Sequence, residues 1–70
     1  MVLEFNKNFY KFKAVRTAIK AYKDLADFEF KEDKRTLRIF LRNIDKAVAN
    51  SIKDEFANYV LFLSLTLNKA

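Results

Sequence analysis

Seventy residues, 51% of them hydrophobic, make one domain spanning 1–70, so short that burial only just offsets the entropy of ordering it. The chain has no cysteine, histidine or glycine. That excludes disulfides, zinc sites of the Cys/His kind, Cys-His and Ser-His nucleophile pairs, an imidazole switch and glycine-rich phosphate loops, while a net charge of +5 favours polyanions only weakly.

Val2 to Asn6 is a short apolar segment interrupted by Glu4, with Leu3 and Phe5 on one face, and is the first expected strand. From Phe12 to Leu25, Val15, Ala18, Ile19, Tyr22 and Leu25 recur at spacings of three and four. Lys13, Arg16, Thr17, Lys20 and Lys23 fall opposite them, which predicts a surface helix with one buried stripe. Asp27 to Lys31 alternates, with Phe28 and Phe30 facing one way. Thr36 to Arg42 alternates again, with Leu37, Ile39 and Leu41 toward the core and Arg38, Phe40 and Arg42 away from it. The two segments read as a hairpin whose turn, lacking glycine, starts at Asp33.

Asp45 to Asn68 carries Val48 or Ala49, Ile52, Phe56, Tyr59 or Val60, Leu63 and Leu67 at helical spacing and is expected to form one long helix. Two starts are open. Asn43 or Asp45 can cap it, or Ser51 can, with Asp54 or Glu55 beyond, which leaves 44–50 as a loop or separate turn. A strand competes at the far end, where Leu61, Leu63, Leu65 and Leu67 alternate with Phe62, Ser64 and Thr66.

These elements predict an α+β fold in the order β-α-β-β-α. Two helices cover one face of a three-stranded sheet and leave the other open. A right-handed crossover followed by a hairpin is satisfied when the third strand, the longest and most apolar, lies in the middle, giving the sheet order 2-3-1.

Three surfaces stand out as candidates. Lys13, Arg16, Lys20 and Lys23 line one side of the first helix and, with Arg38 and Arg42, can contact a polyanion such as nucleic acid; the plainer reading is a solvated helix face. Phe40, outward between Arg38 and Arg42, can meet a partner protein or stack on a base, or can be shielded by the aliphatic stems of its neighbours. Tyr59 to Leu67 is apolar nearly all round, more than one small sheet can cover, so Leu61, Phe62 and Leu65 are left over for a partner subunit, and a homodimer is expected. The charged Lys46, Lys53, Asp54 and Glu55 rule this segment out as a membrane span. No carboxylate sits where its pKa would clearly rise, and the adjacent Asp54 and Glu55 point in different directions on a helix. The expectation is therefore a non-enzymatic binding or scaffolding protein with no cofactor or metal, bound to a protein or peptide. Met1 to Phe12 lacks the apolar run of a signal peptide, so a cytoplasmic location is expected by default.

A short strand, then Tyr10, Ala14-Val15 and Ala18, then Asp24 before a strand of large apolar residues, then Glu55-Phe56 with Asn58 leading into Val60-Leu61, follow one another along most of the chain. In this register the chain resembles the small HxsD-type proteins of His-Xaa-Ser peptide modification systems, although Lys11 stands where that family usually has proline. The resemblance implies an accessory protein acting beside radical-SAM enzymes on a ribosomally made peptide, as a peptide-binding or scaffolding component. A topological similarity also exists to the small dimerising subunit of the KEOPS tRNA-modification complex, with Asp45 after the third strand and Asn50-Ser51 early in the following segment. That likeness implies an accessory role in tRNA modification.

Overall fold

A computed structural model of the chain describes residues 1–67. The elements are β1 (Val2–Asn6), α1 (Phe12–Tyr22), β2 (Asp27–Glu32), β3 (Thr36–Arg42) and α2 (Ile52–Leu67). Period-two alternation in the strands fixes which side chains meet the helices. β3 is the central strand, antiparallel to both neighbours in the order β1-β3-β2, with Leu3 opposite Ile39, Phe5 opposite Leu37 and Phe28 opposite Leu41. Leu3, Phe5, Leu37, Ile39 and Leu41 are buried on the helix side with Ala14, Val15 and Ala18 of α1 and Ile52, Phe56 and Val60 of α2. The expected architecture, with two helices on one sheet face, is what forms.

Phe56 is the centre of this core. Its ring lies 5.3 Å from that of Phe28, 5.5 Å from Tyr22 and 6.2 Å from Phe5, so one side chain of α2 touches β2, α1 and β1. Each such aromatic contact adds to the burial term.

The turns are built without glycine. In the β2–β3 turn, Asp33 Oδ1 accepts from the backbone N–H groups of Arg35 (3.1 Å) and Thr36 (3.0 Å), and Asp33 N–H donates to Thr36 O (3.0 Å). Asn43 takes the left-handed position after β3 at φ 51°, which a short polar side chain tolerates, and its Nδ2 donates to Asp27 Oδ2 (2.7 Å).

Three expectations need correction. The first helix stops at Tyr22 rather than Leu25, because Leu25 N–H turns back to Tyr22 O (2.9 Å) so that Ala26 can be buried and Asp27 can enter the sheet. The last helix begins at Ile52, near the second of the two starts considered, and not at Asp45. Asp45 instead accepts from Ala47 N–H (2.9 Å), and Val48 and Ser51 donate to carbonyls three residues earlier, so this stretch is a run of turns. The Ser51 hydroxyl donates to Val48 O (3.4 Å) instead of accepting from the helix start. Finally, Phe30 faces the helix side, opposite Ile39, yet stays exposed because β2 is an edge strand and Phe12 is the ring that meets it, at 5.4 Å. The strand alternative at 61–67 does not form; the segment is helical, and Asn68 lies outside the described residues.

Candidate interaction surfaces

α2 changes character along its length. Ile52, Phe56, Val60 and Ser64, four residues apart, make a fully buried stripe. On the outer side the first turns carry Lys53, Asp54, Glu55 and Asn58, which are exposed and hydrophilic. Two turns later the outer side is Leu61, Phe62 and Leu65, exposed by 43%, 61% and 57%. These three, expected from the sequence to be surplus, come together as one uncharged apolar face, with Phe62 stacked against Tyr59 at 6.5 Å. The buried Ser64 hydroxyl accepts from Lys11 N–H (3.4 Å) and thereby ties α2 to the loop before α1.

The open sheet face is covered by charge. Glu4 pairs with Arg38 across strands (3.5 Å) and Glu29 with Arg42 (2.5 Å). Between them Phe40 is half-buried, with the Lys31 ammonium 5.9 Å from its ring centre. Phe40 does point outward, but its neighbours shield it. It does not join Leu61, Phe62 and Leu65, which lie on the helical layer, and Arg38 and Arg42 lie with it on the open face of the sheet, opposite the face that α1 covers.

Along α1, Lys13, Arg16, Thr17 and Lys20 line a shallow groove of about 170 Å³. Among the described residues, neither these cations nor Lys23 has a carboxylate within 4 Å; the three ion pairs all involve the sheet or its turn, including Lys7 with Glu32 at 2.6 Å. The Thr17 hydroxyl is occupied by Lys13 O (2.9 Å).

Nothing in the sequence singles out Phe9. It is the most exposed large apolar residue described, at 72%, in the loop joining β1 to α1. A lone phenylalanine outside any periodic pattern gives no signal of its direction; the adjacent Lys7, Lys11 and Lys13 were the available clue. Residues 7–13 surround a concavity of about 570 Å³ beside it.

Two groups have displaced pKa values. Two backbone N–H groups, from Arg35 and Thr36, hold the Asp33 carboxyl below the ordinary aspartate value. Burial, with the Glu55 carboxylate adding to it, pushes the Tyr22 phenol above its usual value. Both are explained by the turn and the core, and neither faces a cleft. Among the described residues no group of three or more acidic, histidine or cysteine side chains is placed to hold a metal, and no helix is long and apolar enough to cross a membrane. No family model matches the chain, and comparison with curated proteins and with solved structures returns no match.

Proposed function

We propose that this chain is a non-catalytic binding or scaffolding protein that works as a homodimer through the outer face of α2. The observation that carries the reading is the Leu61, Phe62 and Leu65 face, three large apolar side chains gathered on a helix whose earlier turns are amphipathic. A second copy is the partner of choice because the face carries no charge of its own on a molecule of net charge +5. Two such faces meet about a two-fold axis without bringing like charges together. Burying a large side chain contributes about 1.5 to 3 kcal/mol when it starts fully exposed, and these start about half exposed. Six of them give a gain of the same order as the roughly 4 to 15 kcal/mol lost on association, so the pair is a weak, concentration-dependent one.

In this reading the dimer presents its other surfaces to a protein or peptide. The resemblance of the sequence to HxsD-type proteins suggests an accessory role in peptide modification as the setting.

The test is the double variant Leu61→Lys, Leu65→Lys, studied by light scattering and thermal unfolding over a range of concentrations. The unmodified protein is expected to shift toward a dimer as concentration rises, with a melting temperature that rises with it. The variant is expected to stay monomeric and to melt lower at high concentration, where the parent is dimeric. Equal masses and equal melting for both proteins at all concentrations would overturn the proposal.

A further inference from the structure

Phe9 is exposed although the loop that carries it is tied down at every step. Lys7 N–H donates to Arg35 O (2.8 Å), Asn8 N–H to Asn6 Oδ1 (2.8 Å), Phe9 and Tyr10 N–H both to Asn6 O (3.0 Å), and Lys11 N–H to Ser64 Oγ (3.4 Å). The two aromatic rings that follow Phe9 in the chain turn inward. Tyr10 packs edge-on against Phe5 at 5.0 Å, and Phe12 against Phe30 at 5.4 Å. A well-anchored turn therefore holds one ring out in water, where a large apolar surface is costly unless something covers it.

The surroundings of that ring are cationic. Lys11 and Lys13 border the concavity at the loop, and Lys13 also borders the groove that continues through Arg16 to Lys20. The two hollows thus share Lys13 as a wall, and their basic residues run from the loop along α1. Seven residues of helix from Lys13 to Lys20 advance about 10 Å. Among the described residues no carboxylate lies within 4 Å of Lys11, Lys13, Arg16 or Lys20: Glu4, Glu29 and Glu32 pair with Arg38, Arg42 and Lys7, Asp27 bonds Asn43 and Asp33 its own turn, while Asp24, just beyond α1, pairs with no cation.

We infer that the β1–α1 loop and the exposed face of α1 form a binding site for single-stranded nucleic acid, with Phe9 stacking one base and Lys11, Lys13, Arg16 and Lys20 following the phosphates. A basic track beside an aromatic platform is the combination that sequence-tolerant single-strand binding uses. Duplex is disfavoured because its bases are already stacked and offer Phe9 no free face. The site shares no residue with the Leu61, Phe62 and Leu65 face, although the Lys11–Ser64 hydrogen bond ties its loop to the same helix, and it does not require the dimer.

Fluorescence anisotropy with a labelled twelve-residue oligothymidine, on the full chain at about 50 mM salt, provides the test. About four phosphate contacts predict that the logarithm of the affinity falls with the logarithm of salt at a slope near −3. Arg16→Gln with Lys20→Gln should reduce the steepness of that slope by about 1.4 and weaken binding. Phe9→Ala should weaken it roughly 5- to 150-fold, the effect of losing one stacked base, while leaving the slope unchanged. Circular dichroism checks that the variants keep the fold, as is expected from their exposure. The inference is overturned by no binding at this salt, by Phe9→Ala having no effect, or by duplex of equal length binding as tightly as the single strand. Co-sedimentation with phosphatidylserine vesicles in the absence of oligonucleotide binding would overturn it too, by assigning the track to an anionic lipid surface.

Discussion

Phe56 illustrates how much of so small a fold can depend on one side chain. A 70-residue domain has roughly 4 to 10 kcal/mol of stability, and truncating a fully buried phenylalanine costs about 3 to 5 kcal/mol. Phe56→Ala is thus expected to leave a marginal or unfolded chain, with loss of the cooperative urea transition at room temperature. Asp33 acts more locally. Its carboxyl is held below the ordinary value, so it is the ionised form that the turn favours. The stability it contributes is complete above the ordinary aspartate pKa, about 4, and is lost as pH falls through that value toward the folded-state one. Asp33→Ala should therefore lower the melting temperature at pH 7 and flatten its fall below about pH 4; an identical acid profile for both proteins would contradict this. Asp33 was legible in the sequence because a turn without glycine needs an acceptor side chain. Phe9 was not, since its direction is set by hydrogen bonds that the loop's N–H groups donate to Asn6, Arg35 and Ser64, the last two far away in the chain.

Among the elements, the strands were the most legible and the helix ends the least. Alternation of large apolar with charged residues in Val2–Asn6 and Thr36–Arg42 gave both strand limits, because a one-residue slip would turn Leu37, Ile39 and Leu41 into water. Periodicity could not place the start of α2, as Val48 falls in phase with Ile52 whether or not the intervening residues are helical. What decides it is the run of turns at 45–51, fixed in part by Asp45 N–H donating to Leu25 O (2.8 Å), a contact between distant segments. In the sequence Ser64 is merely one member of an alternating run, yet it is buried and joins α2 to the start of α1. Ser64→Ala removes the acceptor for Lys11 N–H and should cost about 1 kcal/mol, read as a lower urea midpoint with unchanged slope. No loss of stability would mean that water satisfies that N–H equally well.

At the scale of the whole molecule, the sequence showed that the apolar content exceeds what one sheet face can bury, and the structure locates the excess. Leu61, Phe62 and Leu65 lie on the outer helix face, whereas Phe40, given the same role from its outward register, is half-buried among paired charges. The difference arises because β3 is flanked on both sides by strands that supply Glu4, Glu29 and Lys31, while among the described residues none covers Leu61, Phe62 and Leu65 on the outer face of α2. Periodicity names the face a residue points to; the neighbours across strands decide whether it stays exposed. The proposal that this face joins two copies is tested most directly by sedimentation equilibrium of the unmodified chain from micromolar to millimolar concentration. A single reversible monomer–dimer equilibrium, with half-association on the order of hundreds of micromolar to a millimolar, is the predicted result for an interface of this strength. A monomer throughout that range would contradict the account.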